Sequence, residues 1–264
     1  MSKFTGSVKI VLKDMIAYKL DIFIWSALLL ISLAVYYFFW NAVFTYSGQQ
    51  AIGGFSFYEL VNYYALTLIV AAITSTNVDA ELARRVLDGR LSIFLTRPLS
   101  FFMQRLYANI GERGMAVLGQ ILPVTIAAVV FFNLHITSPV NFILFTITAV
   151  LAFILLFVFT FFLGISSFWL TKYSGIRMLR SGLIWFLSGA VVPMTFFPAN
   201  IQKIFSYLPF QYTSYSPVQI FLGKYDLMTS LQVILIQVAW IAALLILVNV
   251  AWKYAMKTFT AVGQ

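Results

Sequence analysis

The sequence predicts an all-α polytopic membrane protein with six transmembrane helices. Three observations carry that reading. Hydrophobic residues fill 62% of the 264 positions and charged residues 9%, where a soluble domain carries about 25% charged; mean hydropathy is +0.94. Charge is absent from Ile22–Tyr58, Leu60–Val78, Gly114–Thr171, Ser181–Gln202 and Leu227–Trp252, and about 20 apolar residues suffice for a helix to cross the hydrocarbon. By contrast, ten of the 25 charged side chains crowd between Asp79 and Arg113. Backbone groups in lipid must bond internally, which selects helices, and the short alternating segments of a barrel are absent.

Taken in order, residues 1–20 read as an amphipathic helix in the inner interface. Phe4, Val8, Val11 and Met15 recur at spacings of four, three and four, with Lys9 and Lys13 off that stripe. The basic start before an apolar run has the outline of a cleaved signal peptide. The run is too long for one, holds Trp25, Tyr36, Tyr37 and Trp40, and lacks a small-x-small site. It is read as an uncleaved first span, about 22–42. The second span is about 58–78. Asn133, His135, Thr137, Ser138 and Pro139 divide the longest apolar stretch into a third span, about 114–133, and a fourth, about 140–170. The fourth is overlong and must tilt or leave the bilayer. A fifth, about 180–197, and a sixth, about 230–252, complete the set.

Between the last two spans, residues 198–229 carry Phe205, Tyr207, Leu208, Phe210, Tyr212, Tyr215 and Phe221. So apolar a segment is expected to fold back on the outer membrane surface as a hairpin of short helices broken at Pro209 and Pro217. Pro193, with Gly182 and Gly189, is expected to kink the fifth span and help shape an outer gate, the hairpin starting at Pro198. No repeat, linker or low-complexity tract divides the chain, so residues 1–264 form a single transmembrane domain.

Basic residues orient the spans. Lys3, Lys9, Lys13 and Lys19, six arginines in 79–113, then Lys172, Arg177, Arg180, Lys253 and Lys257 fall on one side, leaving Lys203 and Lys224 on the other. Both termini and the charged loop are therefore expected to be cytoplasmic. The net charge of +9 is spread along inner loops and suits anionic lipid headgroups, not nucleic acid. There is no cysteine, which removes disulfides and thiolate metal sites.

Signals for catalysis are weak. His135 is the one histidine and has no carboxylate near it in sequence, so a metal role is disfavoured. Gly164-Ile-Ser-Ser has the outline of an intramembrane protease serine motif, but His135 belongs to the opposite end of the same helical hairpin. Small residues there read as helix-packing positions. No acidic residue lies inside a charge-free run, which argues against a proton-coupled carrier. The phosphate-loop pattern Gly-x-x-x-x-Gly-Lys-Ser/Thr is missing, so ATP dependence by that route requires another polypeptide.

In the charged loop, Val78, Leu82 and Val86 form one stripe of a helix, with Glu81, Arg84, Arg85 and Asp88 mostly elsewhere. Glu81 and Arg85 are spaced i, i+4 in the favourable order. Gly89 suits a left-handed cap, Arg97-Pro98 imposes an extended residue, and Ser100 can cap the next helix.

The chain resembles the permease subunits of type-2 ABC exporters, more narrowly a bacterial six-span subgroup. The likeness rests on Asp88-Gly89-Arg90-Leu91, Leu95-Thr96-Arg97-Pro98-Leu99, Gly189-Ala-Val-Val-Pro193-Met-Thr-Phe-Phe197-Pro198, Leu208-Pro209-Phe210 and Pro217-Val-Gln-Ile-Phe-Leu-Gly223. The resemblance implies a multi-pass protein of the bacterial cytoplasmic membrane, itself non-catalytic. It implies a cytosolic ABC ATPase dimer as partner, which would bind ATP and Mg, and a second permease subunit, identical or related. By position, the ATPase-coupling role passes to Glu81, Arg84, Arg85, Asp88, Gly89, Arg90, Leu95, Arg97 and Pro98. Family substrates are amphipathic: lipids, glycoconjugates, peptides and drugs. An ATP-independent carrier or channel is the alternative, and flux through the chain alone would distinguish it.

Overall fold

The computed structural model describes residues 19–96 and 98–258. The expected amphipathic helix over 1–20 falls almost wholly outside them. Among the described residues the fold is helical and no strand forms, although an isolated bridge pairs Ile52 with Phe55. The α-helices are α1 (Lys19–Ser47), α2 (Phe57–Thr74), α3 (Val78–Leu87), α4 (Leu91–Leu95), α5 (Phe101–Ala116), α6 (Leu122–Phe132), α7 (Pro139–Ile165), α8 (Ser174–Leu187), α9 (Ala199–Ser206), α10 (Tyr215–Phe221) and α11 (Leu227–Thr258). Four described helical stretches are long and apolar enough to cross a bilayer: Phe23–Ser47, Phe57–Leu87, Pro139–Phe168 and Leu227–Thr258. The bent pair Phe101–Ala116 and Gly119–Phe132 makes a fifth if it counts as one span.

The chain divides into two compact units. The first comprises the described residues up to Ile73 together with Ile110–His135. Its core is aromatic: Tyr63 and Tyr64 of α2 are buried, and the Tyr64 ring stacks on Tyr36 of α1 at 4.0 Å. Tyr37 meets Phe57 and Phe132 at 5.4 and 5.3 Å. Asn62 donates from Nδ2 to the Phe132 carbonyl at 3.1 Å, satisfying one of the acceptors that a helix end leaves open. Asn133 takes φ +59° there and closes α6.

The expected third helix begins earlier than charge alone indicated. Ser100 accepts the Met103 N–H at 3.3 Å, and α5 runs from Phe101 straight through Arg105, Glu112 and Arg113. Arg113 is accommodated by donating to the Ala72 carbonyl at 3.0 Å. The break comes later, as a π-helical turn over Val117–Ile121, and the flanking helices differ by 41°. Pro123 explains it: without an N–H it cannot bond back to Gly119, and the Ser26 hydroxyl takes that carbonyl instead.

The second unit comprises the described residues of Thr74–Asn109 and those from Ile136 onward. Ser138 caps α7, accepting from Val140 N at 3.3 Å. α7 is the central helix, packed by α11, α3 and α10. Its Leu155, Phe157, Val158, Phe161 and Ile165 join Val78, Leu82, Phe94, Phe101, Leu244 and Val248 in one apolar core. Gln237 of α11 is fully buried and donates to the carbonyls of Thr148 and Tyr212 at 2.9 and 2.8 Å, which fixes α11 to α7 and to the turn before α10.

The 198–229 segment forms short helices in which Phe205, Phe210, Tyr212, Tyr215 and Phe221 are buried against protein, while Ile204 and Tyr207 stay exposed. Every residue of α10 is buried, and Phe221 packs on Phe145 of α7 at 5.1 Å. Pro217 does not break a helix. It is the third residue of α10, where the absent N–H would lack an intrahelical acceptor in any case.

Candidate functional site

The charged loop folds as α3, a tight turn, α4 and the start of α5. Val78, Leu82 and Ala83 bury one face of α3, with Val86 packed at the edge of the same core. Gly164 lets α3 approach α7 closely: a Cβ there would stand 2.8 Å from the Asp79 Cα and 3.3 Å from Leu82. Ser167, three residues on, is buried and donates to the Gly164 carbonyl at 2.7 Å. Gly164 is thus a packing position against α3. Gly89 ends α3 at φ +68°, its N–H bonded to Val86 at 3.1 Å, a conformation that costs glycine little.

The loop's charges fall into two sets. Glu81 bridges Arg85 at 3.8 Å and also pairs with Arg105 of α5. The Arg85 guanidinium lies 4.8 Å from the Phe94 ring centroid and that of Arg105 lies 5.9 Å from Phe101, within cation–π range. Glu81 and Arg85 therefore brace α3, α4 and α5 together and are only partly exposed. Arg84, Asp88 and Arg90 instead project outward, alongside exposed Leu87, Leu95, Pro98 and Leu99. Arg97 lies outside the described residues.

Sequence reasoning missed the most deeply buried charges. Asp79 is fully buried, and its carboxylate accepts Arg180 Nη1 from α8 at 2.7 Å and the Tyr173 hydroxyl at 3.0 Å. Arg180 reaches the Thr76 carbonyl too, at 3.3 Å. Burial, and then the neighbouring carboxylate, push the Tyr173 phenol far above its ordinary range, so it remains a hydrogen donor. The available signal was an unpaired acid at the end of one charge-free run and an arginine at the edge of another.

The glycines and prolines expected to shape an outer gate are spread along the chain. Gly182 is exposed within α8, with open space around it. α8 stops at Leu187, so Pro193 sits in extended backbone ahead of a 3-10 turn and kinks no helix. The expected continuous fifth helix over 180–197 is interrupted because Gly189 takes φ +80°. Pro198 and Pro209 immediately precede α9 and the 3-10 turn Phe210–Thr213. His135 is exposed, its Nδ1 2.9 Å from the Asn133 carbonyl oxygen. Among the described residues no three His, Cys, Asp or Glu side chains gather as a metal site.

The loop thus carries exposed charges and exposed apolar side chains on a helix braced from behind. A family model described as ABC-2 family transporter protein matches residues 30–263. No curated protein and no solved structure matches the chain.

Proposed function

The chain belongs to the ABC-2 family of transporter proteins, and from that premise we propose that it is the permease subunit of an ATP-driven exporter of amphipathic substrates. The family match across residues 30–263 carries the reading. Family members are generally non-catalytic membrane subunits that work with an ABC ATPase. The missing phosphate-loop pattern agrees with that division of labour. In this reading a cytosolic ATPase dimer binds ATP and Mg, and a second permease, identical or related, completes the translocation path.

The basic-residue asymmetry supports a cytoplasmic location for both termini and for the α3–α4 loop. It also supports six crossings, with α5–α6 as the third and α8 as the fifth. At 14 residues, α8 is roughly 21 Å long, short of the hydrocarbon thickness of about 30 Å. The stretch after it completes that crossing in this reading; Ser188, Gly189, Pro193 and Met194 are buried, as irregular backbone at membrane depth must be.

Arg84, Asp88 and Arg90, with exposed Leu87 and Leu95, form the ATPase-facing surface in this reading, and Glu81 and Arg85 hold it in shape. The test uses proteoliposomes containing the chain with or without an ABC ATPase subunit from the same genome. Movement of a fluorescent amphipathic dye should require both proteins and Mg-ATP. Dye movement through the chain alone, without nucleotide, would indicate a carrier or channel and refute the proposal.

A further inference from the structure

Asp79 stands where three helices meet. Its backbone abuts Gly164 of α7, and its carboxylate takes Arg180 of α8 and Tyr173 from the turn leading into α8. Arg180 also donates to the carbonyl of Thr76, two residues before α3, so the entrance of α3 is held at two points. A charge pair removed from water is a poor device for stability alone, because apolar residues of similar volume often do as well. Its directional bonds do fix one helix against another.

The far end of α8 is also pinned. The carbonyl of Ser188, the residue capping α8, accepts the Tyr215 N–H of α10 at 3.0 Å. Tyr215 and the rest of α10 are buried, with α10 packed against α7. A helix held at both ends by specific bonds is the kind of rigid secondary element that can carry coupling between distant sites.

We propose that α8 is a strut, tied to α3 by the Asp79–Arg180–Tyr173 joint and to α10 by the Ser188–Tyr215 bond, through which movement of α3 reaches the α9–α10 segment. This rests on the reading of α3–α4 as the ATPase-facing surface for the source of movement, but not for the joint itself. Asp79, Arg180 and Tyr173 are positioning residues in this scheme.

The absence of cysteine permits clean paired labelling at Leu87→Cys on α3 and Leu179→Cys on α8, which are 46% and 65% exposed. Pulsed electron paramagnetic resonance on the full chain in nanodiscs should give one narrow inter-label distance. Asp79→Asn and Tyr173→Phe should broaden it, whereas Arg180→Lys, which keeps the charge, should change it least. A distribution equally narrow in Asp79→Asn and Tyr173→Phe overturns the joint. If Asp79→Asn fails to fold, Tyr173→Phe, which removes a single hydroxyl, decides the matter.

The second arm uses unlabelled protein with the ATPase subunit. Asp79→Asn or Tyr173→Phe should capture the ATPase undiminished but lose most of the permease-dependent change in Mg-ATP hydrolysis. A parallel loss of capture and melting temperature would mark the joint as merely structural and overturn the strut. Failure of the unmodified chain to capture any ATPase would refute the coupling surface, while the distance comparison in the chain alone would still decide the joint.

Discussion

Gly164 and Gly182 have the same side chain and opposite surroundings. A methyl group on Gly164 would meet the Asp79 backbone at 2.8 Å, while nothing lies within 4 Å of the one on Gly182. Gly164→Ala should destabilise the protein by about 1–3 kcal/mol, the usual cost of overpacking. Gly182→Ala should be neutral or stabilise by up to about 1 kcal/mol, the gain from removing glycine from a helix. Thermal melting of the two variants in one detergent compares them directly, and equal melting temperatures would contradict the close α3–α7 approach. Asp79 sets a second expectation at this scale. Removing Arg180 as Arg180→Ala leaves a buried carboxylate unpaired by charge and should cost about 3–5 kcal/mol, far more than Arg84→Ala at an exposed position. Melting curves of these two variants check the ranking.

At the scale of the element, the broken helix α5–α6 shows a polar bond doing work that the backbone cannot. The Ser26 hydroxyl of α1 donates to the Gly119 carbonyl in place of the N–H that Pro123 lacks. Ser26→Ala should therefore lower stability by about 0.5–2 kcal/mol, the range for interhelical polar contacts in membranes, and Pro123→Ala should offset much of that loss by restoring an N–H. Melting of the single and double variants tests the compensation, which independent effects would not show.

Helix α11 offers a pH dependence. The exposed Asp226 carboxylate accepts the Thr229 N–H at 3.0 Å, and bonds from Thr229 hold its pKa below the ordinary value. A carboxyl lowered in the folded state contributes stability above its unfolded pKa, near 3.9, and loses it as pH falls through the lower folded value. Melting temperature should therefore fall less steeply with acid in Asp226→Asn, which retains a capping oxygen, than in the unmodified protein.

Elements with a strong local signature were legible in the sequence. The Val78–Leu82–Val86 stripe, the Gly89 cap and the Ser100 cap all depend on residues a few positions apart, and each appears in the structure. What depended on distant contacts was not. Hydropathy could not show that α10 is apolar because α7 covers it, or that Gly189 would end α8 before Pro193. Likewise Glu81 and Arg85 look like surface charges in sequence, yet Arg105, Phe94 and Phe101 fold back to engage them.

The whole molecule is a multi-pass membrane protein of the ABC-2 family whose polar resources concentrate at one loop. Behind that loop, α3 is fixed to α7 by backbone packing and to α8 by the Asp79 charge pair. In front of it, Arg84, Asp88 and Arg90 remain exposed. An arrangement braced behind and free in front suits a surface that receives force from another protein. Because the bracing charges are internal, replacing Arg84, Asp88 and Arg90 together should leave the fold intact while weakening the proposed ATPase contact.

The most direct measurement is capture of an ABC ATPase subunit from the same genome by the purified chain and by its Arg84→Ala/Asp88→Ala/Arg90→Ala variant, with melting temperatures recorded for both. The expected result is a stable complex with the unmodified chain, and at least a tenfold weaker one with the variant, equivalent to about 1.4 kcal/mol or more, at an unchanged melting temperature. Equal capture by the two proteins, or no capture of any such subunit, would contradict it.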